Sequence, residues 1–505
     1  SDIIITNNKT DNKKPKLSFK KNIFTENDFD IKNNTNLIEF EENKIAIIKY
    51  AYQNFKKSKK FIEMIVKNRE RKSYEKIFYI PSVVEPSNLS LLTYLGTDLF
   101  DSTRAIINAR NKTMFFCNGN INIIDMKENP CSCPICSKLD KNPKEMNFKE
   151  ILYHNYNILY SELKNVRNHI RKNNIRELVE KRIKSDPHLT TLLRILDQNN
   201  YCYLEEKTPL TSNNKLLATN IESLSRPEIL RFQKRIINRY KKPKSAKILL
   251  LLPCSAKKPY SFSKSHSFFK KAIFSSKNPY VIHEIIITSP LGLVPRELEL
   301  IYPAANYDIP VTGKWFEEEK KLIKTLLDNY LKENKYKSII SHLTEEMNYF
   351  INENVNINNF TCVDHPTSKK SIKKLTDILK DESSKYKIVK KSDRRKENIK
   401  EFASYQFGRN TATKLLDGTY IKGRYPYLKI IKNNTQLGML VKEKGLISLT
   451  LDGGKILFET KINIVEISDD FELKGSVFAP GIKKADRNIR IGDEVIIIRK
   501  NKLIA

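Results

Sequence analysis

The sequence predicts an α/β multidomain protein, with a mixed α/β region carrying a cysteine-rich loop, a central α/β domain on a parallel sheet, and a C-terminal all-β barrel. Three observations carry this expectation. The 505 residues amount to about three domains at roughly 150 residues each. Strand-length apolar runs alternate with amphipathic helical stretches through the middle of the chain. From 425 onward the pattern changes to short alternating strands punctuated by Gly and Asp.

Composition narrows the function classes. With 40% hydrophobic and 10% aromatic residues, the chain can bury cores and is neither collagenous nor disordered throughout. Lys and Arg total 91 against 58 for Asp and Glu, a net charge of +33, which suits a polyanionic partner because each neutralised phosphate releases condensed counterions. No apolar run approaches the roughly 18 to 20 residues of a membrane span, and the opening residues lack the apolar core of a signal peptide. A soluble, cytoplasmic protein without membrane contact is therefore expected. Seven cysteines are too sparse for a disulfide scaffold, which puts metal and nucleophile roles first.

The elements follow in order. Residues 1–35, rich in Asn and Lys, read as a flexible basic arm. In the region 36–186, apolar residues recur at helical spacing over 44–67, KIFYIP at 76–81 reads as a strand, and 89–95 as a helix. A basic amphipathic stretch over 153–183 is expected to break near Asn173 and Asn174, and a boundary is expected near Asp186 and Pro187. The central domain, 187–390, shows a helix at 226–240, strands at 247–252, 283–288 and 336–340, and a helix at 314–332. Continuous apolar strands of this kind fit a buried parallel sheet. A charged connector, 391–424, then leads to the barrel at 425–505.

Cys131, Cys133 and Cys136 form C-x-C-x-x-C, and His154 follows eighteen residues after the last. Three thiolates and one imidazole complete a tetrahedral shell with no open position, the structural type of zinc site. His169 is the second candidate for the fourth ligand. The string Cys131-Ser-Cys-Pro-Ile-Cys136 with His154-Asn155 resembles the zinc motif of tRNA-guanine transglycosylases, and Tyr94 to Arg104 (YLGTDLFDSTR) resembles a segment late in their barrel. This resemblance implies a TIM-barrel-like transglycosylase region, with Asp101 at the position of the base-exchange nucleophile. A whole barrel needs roughly 200 residues before such a segment, and about a hundred precede Asp101. The region is therefore expected to be a truncated barrel serving as a tRNA or dimer platform, with Asp101 a relic.

The polar loop after 252 carries Cys254, Ser255, Lys257, Lys258, Tyr260, Ser261, Ser263, Ser265 and His266. It leaves the carboxyl end of a predicted parallel strand, where open α/β sheets place ligands. A cysteine beside Lys257, Lys258 and His266 is expected to have a lowered pKa and to act as a nucleophile. The alternative is a small buried cysteine in a phosphate-binding Ser/Lys loop. A second loop, from Thr288 through Ser289 to Glu297, is expected on the same edge, so that the two form one crevice.

The pattern PCSxxKPYSxSxSH, followed by ITSPLGLVPRELELIYPAANYDIPVTGKW over 287–315, closely resembles the core motifs of archaeosine synthase. The resemblance implies an enzyme acting on tRNA that carries 7-cyano-7-deazaguanine at position 15 of the D-loop. The nitrile becomes the formamidine of archaeosine, or first takes up lysine as an amidine that a radical-SAM partner cleaves; ammonium and glutamine are the other candidate nitrogen donors. On this reading Cys254 adds to the electrophilic nitrile carbon, assisted by Ser255, Lys258 and Ser261. His266 or Tyr260 supplies the proton, and His266 deprotonates the attacking ammonium. Glu297 or Asp308 accepts from the base edge, Ser263, Ser265 and Ser289 bind substrate, and Trp315 either stacks on the ring or anchors its helix. No nucleotide cofactor is expected, and a homodimer is implied.

Gly423 to Tyr427 (GRYPY), with 478–482 and 491–495, resembles a PUA domain, an RNA-binding barrel. That likeness implies close backbone approach at Gly481 and phosphate contacts from Arg424, Lys429, Lys483, Lys484 and Arg487. Two competing functions are a non-catalytic tRNA-binding protein and a transglycosylase that exchanges the base itself.

Overall fold

The computed structural model describes residues 37–40, 45–48, 50–72, 77–139, 142–311, 314–352, 355–471, 473 and 475–505. The arm expected over 1–35 lies outside them. The chain divides into two compact units, Ser1–Leu204 and Glu205–Ala505. No helix among the described residues is long and apolar enough to cross a membrane.

In the first unit, β1 (Leu37–Phe40) pairs antiparallel with β2 (Ile45–Ile48), which pairs in parallel with β3 (Ile77–Tyr79). The helix expected over 44–67 therefore begins late, as two helices, Ala51–Phe55 and Ser58–Lys72. The IAII run ahead of them, β-branched at three of four positions, takes the strand that such residues favour. A hairpin of β4 (Thr113–Phe116) and β5 (Gly119–Asn122) precedes the cysteine loop. The helix Phe148–Arg171 starts on a capping box, in which Asn147 accepts from the Lys149 and Glu150 amides while Glu150 returns to the Asn147 amide. It ends where Asn173 takes a left-handed φ of 52°, and Ile175–Arg182 resumes, as the two asparagines predict. The boundary expected near Asp186 falls later. Asp186 caps the helix Pro187–Asn199, whose Leu189, Leu192, Leu193 and Leu196 belong to the core of this same unit.

The second unit is organised around a five-stranded sheet. Its strands are β7 (Ile248–Pro253), β8 (Ile282–Thr288), β9 (Gly292–Pro295), β11 (Ser338–Ser341) and β12 (Asn359–Phe360), in the order β12-β11-β7-β8-β9. All neighbours are parallel except the β8–β9 hairpin. The second loop expected after Thr288 is thus the tight turn of that hairpin. Apolar residues of β7 point to both faces, Leu249 and Leu251 into one core and Ile248, Leu250 and Leu252 into another, which is why the run is continuous rather than alternating. A separate short parallel pair joins β6 (Leu216–Leu217) to β10 (Tyr307–Asp308).

The expected connector is structured. Lys391–Phe407 is a helix that buries Ile399, Phe402, Ala403 and Tyr405, and Arg409–Leu416 is another. The basic residues occupy its first turns, and the apolar face that defines the helix lies beyond them. Next come the antiparallel strands β13 (Tyr420–Arg424), β14 (Tyr427–Lys432), β15 (Thr435–Val441) and β16 (Leu446–Leu449). A second four-stranded sheet contains β17 (Ile464–Ile467), β18 (Ile482–Ala485), β19 (Ile496–Arg499) and β20 (Lys502–Leu503), in the order β18-β17-β19-β20. The segment LDGGKILFE, within the stretch expected as short alternating strands from 425 onward, is instead the helix Leu451–Thr460. Thr450 caps it by accepting from the Gly453 amide, and Gly453 and Leu457 are buried one turn apart. The C-terminal sheets share one continuous core with the central sheet: Leu428, Ile430, Leu440 and Ile496 cluster with Leu251 and Ile285. Gly445, at φ 63°, lies so close to the Leu300 carbonyl that a Cβ would sit 1.9 Å from its oxygen, so only glycine fits this turn.

Candidate active site and metal centre

In the first unit the ligand atoms of Cys131, Cys133, Cys136 and His154 all lie within 4.8 Å of one another. His154 Nδ1 faces the Cys136 sulfur at 3.3 Å and the Cys133 sulfur at 3.7 Å. His154 Nε2 lies 2.9 Å from the Phe115 carbonyl, a bond that requires the proton on Nε2 and leaves the Nδ1 lone pair toward the sulfurs. Burial holds this imidazole below its usual pKa and therefore neutral, with the Phe115 carbonyl opposing. The donor set fits a closed tetrahedral metal site. His169 is not part of it and contacts the Asn174 carbonyl.

Asp101, half-buried, is held by three hydrogen bonds within its own unit. Its Oδ2 accepts from the Tyr79 hydroxyl at 2.7 Å and the Ser82 amide at 2.8 Å, and its Oδ1 from the Thr103 amide at 2.8 Å. The carboxylate thus ties β3 to the start of the helix Thr103–Arg110.

In the second unit the expected catalytic residues separate into two places. Cys254 follows β7 at the carboxyl edge of the sheet. Around it stand Thr288, within hydrogen-bonding reach, and Lys258. The Lys258 ammonium lies 4.0 Å above the Tyr307 ring. The Tyr307 hydroxyl is 2.5 Å from both the Tyr260 hydroxyl and Thr288 Oγ1. Burial pushes the Cys254 thiol above its usual pKa, and Thr288 and Lys258 pull it back only in part. This corrects the expectation of a lowered pKa: adjacent lysines do not outweigh desolvation of the thiolate. Burial likewise draws Lys258 below its usual value, with Cys254 opposing, and raises Tyr260. Thr288 and Tyr307 lie within the motifs, yet sequence reasoning gives them no role. The signal that could have found them is position, at the end of a predicted strand and in the YPAANYDIP run.

His266 belongs to the second place. Burial, and then the Arg296 guanidinium, bring its pKa down to about 2. The guanidinium donates to His266 Nδ1 at 2.7 Å. An imidazole in that state is neutral and a weak base, so the acid and base roles expected of it are not supported. Arg296 also binds Glu284 at 2.6 Å and Glu299 at 3.0 Å. Glu299 in turn accepts from the Ser261 amide and the Tyr425 hydroxyl. These groups line a cleft of about 590 Å³, together with Glu297, Lys270, Lys391, Arg394, Arg395 and Arg424. Glu297 is buried, its Oε1 accepting from the Tyr240 hydroxyl at 2.5 Å and facing His283 Nε2 at 3.4 Å. Arg394 and Arg395 lie in what the sequence presents as a connector, and only the apolar spacing of Ile399, Phe402 and Ala403 behind them signals a helix.

Other expected site residues serve local structure. Ser255 donates to the Lys257 carbonyl. Ser263 caps the helix Lys264–Phe274 and contacts Ser265. Ser289 lies buried in the β8–β9 turn, where its carbonyl accepts from Thr288. Asp308 pairs with Lys215 at 3.2 Å. Trp315 packs on Phe350, the centroids 6.2 Å apart, just ahead of its helix. Arg424, Lys429, Lys484 and Arg487 are exposed, and Lys483 pairs with Glu466. Gly481 has another reason than RNA: a Cβ there would sit 2.8 Å from the Phe471 ring.

Comparison with known proteins agrees with the motifs. A family model described as Queuine tRNA-ribosyltransferase matches residues 30–188, and a domain of unknown function, DUF5591, matches 229–379. An archaeosine synthase subunit alpha of Methanosarcina acetivorans is 37% identical over 88% of this chain and 73% of its own length. The archaeosine synthase of Haloferax volcanii is 36% identical, with 86% and 74% covered. That of Methanocaldococcus jannaschii is 34% identical, with 97% and 80% covered. With relatives more than 30% identical matched along most of both chains, this chain belongs to the archaeosine synthase family.

Proposed function

We propose that this protein modifies tRNA carrying 7-cyano-7-deazaguanine at D-loop position 15, adding an amine, lysine, to the nitrile and forming the amidine that leads to archaeosine. The observation that carries the reading is the Cys254 cluster on the sheet edge of a member of this family. The thiol adds across the nitrile: sulfur bonds to carbon, and the thiol proton, passed through the Lys258 amine, ends on the nitrile nitrogen. The product is a thioimidate. The lysine amine then attacks the same carbon, the C–S bond breaks, and the proton lost by the amine restores the thiol. Lys258 takes the proton-handling role because it stands beside Cys254 and burial weakens its hold on a proton. Thr288 supports the thiolate by turning its hydroxyl proton from the Ser289 carbonyl to the sulfur.

Cys131, Cys133, Cys136 and His154 are the proposed ligands of a structural zinc ion, which pins the cysteine loop to its helix. The three hydrogen bonds that tie Asp101 to its own unit support its reading as a structural relic of a truncated transglycosylase barrel. The two C-terminal sheets are read as a PUA-type RNA-binding region, in which exposed Arg424, Lys429, Lys484 and Arg487 meet phosphates. A homodimer and a radical-SAM enzyme that cleaves the lysine adduct complete the proposal, with the protein working in the cytoplasm.

The test is intact-nucleoside mass spectrometry of nitrile-bearing tRNA incubated with the protein and lysine, with ammonium and glutamine as parallel donors. The expected result is a mass gain of one lysine, lost in Cys254→Ala and reduced in Lys258→Ala. Full turnover by Cys254→Ala would exclude the covalent route. Tight tRNA binding without modification by any donor would favour a binding protein, and release of free base abolished by Asp101→Ala would identify a transglycosylase.

A further inference from the structure

Behind Cys254 three hydroxyls form a chain, Tyr260 to Tyr307 at 2.5 Å and Tyr307 to Thr288 Oγ1 at 2.5 Å. Its members come from separate segments: Tyr260 from the turn that follows the Cys254 loop, Tyr307 from β10, and Thr288 from the end of β8. Tyr260 and Thr288 are fully buried and Tyr307 is 2% exposed, so none of them can turn to water. Among the described residues neither phenol hydroxyl has a hydrogen-bonding partner outside this trio, and the one close contact of Tyr260 is Tyr307. Phenylalanine would fill the same space without the cost of burying a hydroxyl. The way out of the trio is through Thr288, whose Oγ1 lies 3.0 Å from the Ser289 carbonyl and within reach of the Cys254 sulfur.

Each hydroxyl has one proton to place. When Tyr260 donates to Tyr307 and Tyr307 to Thr288, every proton is used and that of Thr288 points outward. The opposite polarity, Thr288 to Tyr307 to Tyr260, strands the Tyr260 proton in the core with no acceptor, which burial makes costly. Tyr307 has a second contact, the Lys258 amine 4.0 Å above its ring. Its hydroxyl and its ring therefore have separable tasks.

We propose that Tyr307, with Tyr260 behind it, is a positioning residue for Cys254. The proton it donates occupies the Thr288 oxygen, and the Thr288 proton is left with two destinations: the Ser289 carbonyl while Cys254 is a thiol, and the sulfur once it is a thiolate. No proton travels along the chain. Burial, reinforced by the charge on Cys254, holds both phenols above their usual pKa, so they stay protonated and act as oriented donors. The proton that leaves Cys254 goes to Lys258. The groups that face the sulfur are thus Thr288, Lys258, Tyr260 and Tyr307, while Asp308 and Lys215 act at one remove, through Lys258. The inference rests on the thiolate reading of Cys254, and its test reads the thiol itself rather than turnover, so the two fail separately.

The test follows alkylation of Cys254 by iodoacetamide in the full chain across pH, resolved from the other cysteines by peptide mass spectrometry, with Trp315 fluorescence reporting the fold of this unit. Below the midpoint the rate tracks the thiolate fraction, so each unit of rise in pKa slows it about tenfold. Thr288→Val is expected to slow alkylation about tenfold or more, the loss of a hydrogen bond to a charged group, and Thr288→Ser to keep the original rate. Tyr307→Phe, which preserves the ring under Lys258, is expected to slow it about three- to tenfold, and Tyr260→Phe to slow it less, each gap closing as pH rises. Should Tyr307→Phe fail to fold, the double variant decides: Tyr260→Phe slows alkylation in the native background and adds nothing to Thr288→Val. Unchanged rates in the phenylalanine variants, a Tyr260→Phe effect that persists in Thr288→Val, or a gap constant across pH, the mark of blocked access, would each overturn the inference. Slower alkylation in these variants without nitrile addition by the unaltered protein would leave it standing and refute the proposed reaction instead.

Discussion

Arg296 is the point at which removing one side chain is most informative. Its side chain is 16% exposed, and its guanidinium binds Glu284 and Glu299 and donates to His266. Arg296→Met keeps much of the volume and leaves Glu299, whose side chain is fully buried, with only the Ser261 amide and the Tyr425 hydroxyl as donors. Breaking a buried ion pair by deleting one partner costs about 3 to 5 kcal/mol. Glu284, 19% exposed, keeps some contact with water, which places the expected loss near the lower end, about 3 kcal/mol. Adding Glu299→Gln removes the stranded charge while keeping an oxygen for both donors, so the double variant is expected to recover roughly half the loss. The chain has one tryptophan, Trp315, in the second unit. Its fluorescence therefore follows this unit alone through a urea transition, and midpoint and slope together give the free energy. A loss below about 1 kcal/mol, or a double variant no more stable than the single, would refute the view that Arg296 exists to neutralise these carboxylates.

Four further outcomes are expected. Metal analysis should find one zinc per chain, and His154→Ala should lower retention after chelation and melt the first unit earlier; full-length protein free of metal with an unchanged melting curve would count against a zinc site. Burial brings His342 down to about 4, below its unfolded value near 6.5, so the unfolded state binds the proton first and stability is lost as pH falls from about 6.5 to 4. In His342→Gln that part of the acid destabilisation, up to about 3 kcal/mol, should be absent from the Trp315-reported curve. Asp101→Ala removes three hydrogen bonds and should cost the first unit about 2 kcal/mol while nitrile addition persists at temperatures where the variant is folded. Combined Lys429→Ala, Lys484→Ala and Arg487→Ala should lower the slope of log affinity against log salt by about one for each phosphate no longer neutralised, and an unchanged slope would remove these residues from the RNA interface.

How much is legible in the sequence depends on the range of the interaction concerned. The parallel strands and the helix break at Asn173 and Asn174 are legible because local sequence decides them: a continuous apolar run and a residue pair tolerant of positive φ. The cysteine cluster is legible because three ligands within six positions leave few other uses. LDGGKILFE misleads because its apolar spacing suits either period, and the cap that decides it, Thr450, precedes the string. The helix Lys391–Phe407 is concealed by basic first turns, although it carries both Arg394 and Arg395 to the cleft wall. The C-terminal boundary expected at 425 is displaced for a tertiary reason, since β13 begins at Tyr420 and the sheets share the central core. Truncation at 425 would therefore remove part of that core along with any RNA contacts.

The reactivity of Cys254 is the least legible feature, and the reason is general. Proximity in sequence to Lys257, Lys258 and His266 suggests an activated thiol, but a pKa is set by solvation and by side chains in space. His266 is engaged by Arg296 and by the Pro253 backbone rather than by Cys254, Lys257 is exposed, and desolvation then exceeds what Lys258 and Thr288 return. A thiol with a raised pKa beside an amine with a lowered one has its proton-transfer partner already in place, so little charge need persist before substrate arrives. For the proposed addition to a nitrile, a mild electrophile, this is a coherent arrangement: a standing thiolate would invite oxidation and metal capture, whereas a thiol–amine pair would ionise only when the nitrile nitrogen is there to take the proton. The consequence is specific to Lys258. Its replacement by Arg preserves positive charge near Cys254 but removes an amine able to release a proton, so Lys258→Arg should retain tRNA binding and lose turnover nearly as far as Lys258→Ala. Turnover kept by Lys258→Arg would mean that charge alone, and not proton transfer, is what Lys258 supplies.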